Sequence, residues 1–239
     1  MKRHSTDAPP HWPALFAKLA QAARDPRLVR FYQAGTVSPD TPLEQAPLLA
    51  LDVETTGLDS SRDSIVSIGL VPFDLRRIRC RDARYWVVKP AGELSSQSVT
   101  FHHITHSDIS DAPGLDTVLE QLLTAMAGKI MVVHYRPIER GFLDQAMRRL
   151  LGEGLQFPVI DTMQLEARLH PRKRQPGWLR QLFGKPSVSI RLADSRLRYG
   201  LPLYQAHHAL TDALATAELL QAQTATHYPP NTAVGDLWN

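Results

Sequence analysis

Apolar positions along this chain follow two periods, and the alternation between them outlines a fold. LLALDV at 48–53 is a short apolar run of the kind a buried strand needs. Residues 64–71 alternate, with Val66, Ile68 and Leu70 on one face and Ser67 and Gly69 on the other. Residues 85–88 supply a third strand, ended by Pro90. Helical spacing then takes over at 114–127, where Leu115, Val118, Leu119, Leu122, Leu123 and Met126 fall on one stripe. A fourth strand is expected at 129–133, and Pro137 opens a helix carrying Ile138, Phe142, Ala146 and Leu150. A fifth strand at 157–160 leads to a helix that Asp161 or Thr162 is placed to cap, and helices near 189–199 and 208–224 follow. Three strands followed by alternating helices and strands predict an α/β layer structure with a mixed sheet.

Residues 1–46 differ in character. Segments 14–24 and 26–34 read as two short helices, broken at Asp25-Pro26 and ended by Gly35, with a Pro/Ser/Thr/Asp linker at 36–42.

Composition narrows the function classes. Of 239 residues, 43% are hydrophobic and 21% charged, values of a globular chain. The net charge of +3 and a pI near 9.1 are compatible with a polyanionic partner. The single cysteine, Cys80, excludes an internal disulfide. The start lacks the apolar segment of a signal peptide, and no run approaches the roughly 20 apolar residues of a membrane span. A cytoplasmic protein without a membrane partner is expected.

The candidate chemistry is acidic. Asp52 and Glu54 stand two apart at the end of the first strand, so both project from the same face. Like charges so close are unfavourable unless a cation lies between them, and oxygen donors suit Mg²⁺ or Mn²⁺. Thr55-Thr56-Gly57 then turns the chain. Taken alone, the pair reads equally as a solvated strand end. Near the other end, His207 and His208 precede Asp212, which lies in a first helical turn where the helix dipole favours an acid in any case.

The combination changes that balance. DVETTGLD at 52–59 resembles the first motif of the DEDDh family of 3′→5′ exonucleases, which includes the proofreading epsilon subunit of bacterial DNA polymerase III, RNase T and oligoribonuclease. SVTFHHITHSDISDAP at 98–113 is similar to that family's H-x-I-T stretch. VIDT at 159–162 resembles its strand-to-helix step, and HHALTDALATAELL at 207–220 its third motif, H-x-A-x-x-D-A. The resemblance implies an RNase H-like exonuclease fold, a five-stranded mixed sheet flanked by helices. The expected division is a helical extension and linker at 1–46, an exonuclease domain at 47–226 and a tail at 227–239.

The same resemblance implies two divalent cations, Mg²⁺ or Mn²⁺, held by Asp52, Glu54, Glu139 and Asp212, with His207 as general base. It implies that Thr55 and Thr56 meet the terminal nucleotide, with Leu58, His102 and Ile104 also on the substrate. The implied partner is a nucleic acid with a single-stranded 3′ end, DNA ahead of RNA, in repair or proofreading. The alternatives are an exoribonuclease and a binding module that has lost catalysis. A polymerase or other protein partner is left open.

The second motif departs from the family pattern H-N-x-x-F-D. Here it reads His134-Tyr135-Arg136-Pro137-Ile138-Glu139. Tyr135 stands for Asn, Ile138 for Phe, and Glu139 for the acid, one methylene longer. At the third position of its helix Glu139 also has a plain reading, as a dipole-compensating acid. HPRKRQPGWLRQLFGK at 170–185 interleaves cations with Trp178 and Phe183, which suits either a single strand of nucleic acid or a solvated loop anchored by its aromatics. Arg76 to Arg81 and Arg148-Arg149 read as solvated faces, and His134, His170 and His227 as structural or solvent-facing.

Overall fold

The computed structural model describes residues 10–90, 104–171 and 188–239. Strand β1 (Leu48–Thr55) is central, antiparallel to β2 (Ile65–Phe73) on one side and parallel to β4 (Ile130–Val133) on the other. Strand β3 (Arg84–Val87) pairs antiparallel with β2, and β5 (Val159–Asp161) parallel with β4. The order β3-β2-β1-β4-β5 is the mixed five-stranded sheet that the pattern of runs predicts. The helices are α1 (Trp12–Ala22), α2 (Pro26–Gln33), α3 (His106–Ser110), α4 (Leu115–Met126), α5 (Pro137–Leu151), α6 (Thr162–Leu169), α7 (Leu192–Arg198) and α8 (Ala209–His227). Among the described residues no helix is long and apolar enough to cross a membrane.

Local chemistry sets the ends of these elements. Asp25 caps α2 by accepting from the Arg27 amide at 2.8 Å, with Pro26 at the first helical position. Pro137 starts α5, and Gly152, at φ +70°, ends it in the left-handed conformation.

The helices before residue 46 share one apolar core with the sheet. Phe16 stands edge-on to Tyr32 at 5.3 Å and leans on Phe31 at 5.6 Å. The Tyr32 hydroxyl donates to the Gly154 carbonyl at 3.3 Å and accepts from the Gln156 amide at 3.1 Å. Glu153 accepts from the amides of Arg24 and Asp25 at 2.9 and 3.0 Å, so the α1–α2 corner is tied to the end of α5. Each buried aromatic contributes about 1.5–3 kcal/mol of transfer free energy, enough to hold these short helices. At the other end, Val234, Leu237 and Trp238 join the same core. Asn239 exchanges backbone hydrogen bonds with Val159 at 2.8 and 3.3 Å, covering the edge of β5.

Strand β2 is buried on both faces. The face that carries Ser67 and Gly69 lies under α8, where a Cβ on Gly69 would run into the Ala209 carbonyl. Helix backbone therefore rests directly on strand backbone, a spacing only glycine permits. Gly69 pairs with Asp52 across the β1–β2 ladder, so this contact fixes the height of α8 above the acidic end of β1. Gly69→Ala should destabilise by at least the 1–3 kcal/mol typical of overpacking, or about 2–4 °C of melting temperature per kcal/mol in a chain of this size. Thermal unfolding followed by circular dichroism checks this. An unchanged midpoint would mean that the helix can lift off the strand without cost.

Candidate active site

The four acidic side chains arrive from three segments that are distant in the chain. Asp52 and Glu54 stand on the β1 face opposite Gly69 and Ser67, the face that α8 covers. Asp212 lies in the first turn of α8 and Glu139 in the first turn of α5. The Asp52 carboxyl is held well above the usual range, first by burial and then by the charges of Glu54, Glu139 and Asp212. Burial and the Asp212 charge push Glu54 up to about 8. Burial raises Asp212 against the opposing hydrogen bond from the His207 amide. Glu139 is raised well above its ordinary value, by burial and by the charge of Asp161.

Glu139 is only 2% exposed, and among the described residues its Oε2 has no hydrogen-bond partner. Leaving such a group unpaired costs on the order of 1–3 kcal/mol or more when it is charged. Glu54, His207 and Asp212 each offer an atom within 4.8 Å of the others. Crowded carboxylates with a buried orphan oxygen are a donor set that fits hard divalent cations.

The two adjacent histidines have different surroundings. His207 has φ +69°, and its amide donates to Asp212 Oδ2 at 2.8 Å. His208 caps α8, and its ring stacks on Tyr85 at 4.6 Å and 23°. The loop that leads to His207 is held by Arg196, 2% exposed, which donates to the carbonyls of Ala215 at 2.7 Å and Pro202 at 2.8 Å. Arg196 also pairs with Glu218 at 2.7 Å and lies over the Tyr204 ring at 4.6 Å. Sequence reading did not single out Arg196, because none of these partners is visible in local spacing.

In the β1–β2 turn, a register shift separates Glu54 from Thr55. The Thr55 hydroxyl donates to the Gly57 carbonyl at 2.6 Å. Thr56 bonds Asp63 through its hydroxyl at 3.2 Å and accepts from the Ser64 amide at 3.0 Å. Arg148 and Arg149 are exposed, as expected of a solvated face, and Arg149 also donates to the carbonyls of Asp63 at 3.0 Å and Ser60 at 3.1 Å, which ties this turn to α5. Leu58, 85% exposed, projects from the turn. Ile104 is buried in a small cluster with Val66 and Ile109. His102 and residues 172–185 of the basic segment lie outside the described residues.

The second motif is organised by a half-buried histidine and a buried aspartate. His134 contacts Thr162 Oγ1 at 2.8 Å through Nδ1 and the Ile190 carbonyl at 3.1 Å through Nε2. Burial pushes its imidazole down to about 4, against the pull of Asp161. Asp161 caps α6, accepting from the Met163 amide at 3.0 Å, and also accepts from the amides of Tyr135 at 3.0 Å and Arg136 at 3.1 Å.

A family model described as "Exonuclease" (RNase T) matches residues 49–220. Among curated proteins, a PolC-type DNA polymerase III of Thermotoga petrophila is 29% identical over 183 residues, 77% of this chain and 12% of its own length. The corresponding enzyme of Oceanobacillus iheyensis is 30% identical over 181 residues, 76% of this chain and again 12% of its own length. The chain thus spans about an eighth of the length of these relatives. Among solved structures, cell-death related nuclease 4 aligns with a TM-score of 0.62 at 22% identity, covering 78% of this chain and 65% of that one. The nuclease domain of 3′hExo, a DEDDh family member bound to rAMP, aligns at 0.60 and 14%, covering 76% and 92%. Exonuclease X in complex with 5′ overhanging duplex DNA aligns at 0.52 and 23%, covering 80% and 98%. At these identities the structures establish the fold, which is RNase H-like.

The lowered pKa of His134 makes a pH prediction. The unfolded chain takes up its proton near pH 6.5, whereas the folded one resists until about 4. Stability from this site is therefore complete above pH 6.5 and is lost as pH falls towards 4. Melting temperatures of wild type and His134→Gln, measured from neutral pH downwards, should show a shallower acid loss in the variant. Parallel curves would assign the acid sensitivity to other groups.

Proposed function

We propose that this chain, which belongs to the exonuclease family and carries motifs of its DEDDh type, removes nucleotides from 3′ ends by metal-dependent phosphodiester hydrolysis. The observation that carries this reading is the grouping of Glu54, His207 and Asp212, with Asp52 feeling the charges of Glu54, Glu139 and Asp212, and a buried Glu139 oxygen that no described protein group satisfies. DNA is the proposed substrate, because the relatives matched over three quarters of this chain are DNA polymerases. The RNA alternative draws on neighbours bound to rAMP and to a histone mRNA stem-loop.

In this reading the four carboxylates hold two divalent cations. Bound there, the cations supply water activation and stabilise charge on the leaving 3′ oxygen. The chain's own groups do the rest. His207 takes the proton of the attacking water, a task that an imidazole nitrogen can perform. The hydrogen bond that its backbone amide donates to Asp212 keeps it beside that acid. Thr55 and Thr56 present turn backbone to the terminal nucleotide, and the exposed Leu58 packs on its base. His208, stacked on Tyr85, is turned to a structural task. Glu139 substitutes for the shorter acid of the family pattern, its extra methylene accommodated within the first turn of α5.

End-labelled DNA and RNA oligomers of one sequence, incubated with Mg²⁺, Mn²⁺ or EDTA, test the reading. Mononucleotides should appear only with metal, and faster from DNA. No release under any condition would leave a binding module. Glu139→Gln should lose most activity with little change in fold, and wild-type rates in that variant would reduce Glu139 to a helix-terminal acid. His207→Ala should lose on the order of 10²–10⁴-fold in rate while His208→Ala loses little. The reverse ranking would shift the assignment of the base to His208. Mn²⁺ should also raise the melting temperature by mass action, and an equal rise in an Asp52→Asn/Asp212→Asn double variant would locate the bound ion elsewhere.

A further inference from the structure

Tyr135 combines a strained backbone with a ring that the fold does not use. Its φ of +92° is a region that bulky L-residues avoid and asparagine tolerates far better. The conformation is enforced by Asp161, itself 5% exposed, whose two carboxylate oxygens accept from the Tyr135 and Arg136 amides. The side chain returns nothing to the interior. It is 48% exposed, and among the described residues its hydroxyl makes no hydrogen bond and its ring no stacking contact. Strain of this kind, over-determined by its surroundings, points to a use outside the fold.

Its position says what that use is. Strand β4 runs parallel to β1 with Val132 beside Ala50, so the residues just past Val133 emerge at the end of the sheet that carries Asp52 and Glu54. Tyr135 sits in the turn between β4 and α5, and Glu139 follows within the first turn of that helix. The neighbouring parallel strand, β1, ends in the turn that exposes Leu58. Both exposed apolar side chains therefore stand at the carboxyl ends of adjacent strands, next to the acids. The next residue, Arg136, is a cation whose guanidinium donates to Gln164 Oε1 at 3.2 Å.

We propose that Tyr135 is a stacking platform for a nucleobase upstream of the nucleotide being removed, which gives the site its hold on a single strand. The inference rests on the exonuclease reading and deepens it. An aromatic ring suits this role because every base has a stacking face, so the grip is independent of sequence. The backbone strain is then retained because the loop conformation that aims the ring outward is the one that Asp161 fixes.

The test uses the full chain and the variants Tyr135→Phe and Tyr135→Asn. One substrate is a single-stranded oligonucleotide. The other is the p-nitrophenyl ester of thymidine 5′-monophosphate, which has no upstream base. Tyr135→Asn should melt at a higher temperature than wild type, because asparagine relieves the strain. Its KM for the oligonucleotide should rise about tenfold, with kcat and ester turnover near wild type. Tyr135→Phe should keep the wild-type KM. An unchanged oligonucleotide KM in Tyr135→Asn overturns the proposal. A parallel loss on oligonucleotide and ester also overturns it, since the residue would then act through Glu139. If wild type hydrolyses neither substrate, the exonuclease reading fails. The platform is then decided by fluorescence anisotropy of a labelled oligonucleotide in EDTA, where equal affinity of wild type and Tyr135→Asn rejects it and about tenfold weaker binding by the variant supports it.

Discussion

Helix α8 lies on β2 with backbone against backbone, and that contact at Gly69 governs the geometry of everything above it. Gly69 is the ladder partner of Asp52, so the first turn of α8 descends directly over the acid at the centre of the sheet. Asp212 thereby reaches the same small volume as Glu54, although some 160 residues separate them. A side chain at Gly69 would lift the helix by ångströms, and a carboxylate cluster tolerates no such displacement if it is to share cations. The neighbouring restraints act on the same turn. Tyr85 on β3 takes the ring of His208, and the Asp212 carboxylate takes the His207 amide, so two consecutive histidines are held on different partners.

The electrostatic consequence is a site that the folded chain cannot satisfy by itself. The pKa values of Asp52, Glu54, Glu139 and Asp212 are all raised, burial being the first cause in each and repulsion from neighbouring acids adding to it at Asp52 and Glu54. Elsewhere the protein shows that it can neutralise a buried acid. Glu166 is fully buried, yet bonds from Gln223, Arg198 and Tyr199 outweigh desolvation and hold its pKa below the ordinary value. Asp161 similarly collects the amides of two turns. Against those satisfied acids, the unpartnered oxygen of Glu139 stands out, because burial without a donor is what a carboxylate otherwise avoids.

Much of this was legible in the sequence because it depends on local order. The continuous apolar run of β1 reflects a strand buried on both sides, and the motif residues stand at strand ends and first helical turns whose signals are themselves local. Capping by Asp161 and the start of α5 at Pro137 were readable for the same reason. What the sequence concealed is pairing across long separations. The aromatic faces of α1 and α2 read as amphipathic helices, but nothing in them names the end of α5 as their partner. Arg149 looks like one of two solvated arginines until its guanidinium meets carbonyls nearly 90 residues earlier. Arg196 belongs to no motif, yet it ties the loop before His207 to α8 through the Pro202 and Ala215 carbonyls. The alternation of β2 also understated its burial, since Ser67 and Gly69 are polar or small because helix backbone, not water, faces them.

The longer acid of the second motif depends on how α5 is rotated, and that rotation is set from outside the motif. Successive helical residues point about 100° apart, so Arg140 points towards a different part of the core from the buried Glu139. There Arg140 donates to the carbonyls of Phe157 at 2.7 Å and Asn239 at 2.6 Å, and lies over the Trp12 and Phe157 rings at 5.3 and 5.8 Å. Burial lowers its pKa only to about 10, so it remains a cation at neutral pH and its bonds stay charge-assisted. The first turn of α5 is thus gripped from behind by residues near both ends of the chain, and from its start by the Asp161 carboxylate on the Tyr135 and Arg136 amides. With the backbone fixed at both points, the Glu139 side chain stays buried instead of swinging into solvent. The N-terminal helix and the C-terminal residues, which carry no part of the motifs, therefore act on the site through the orientation of one helical turn.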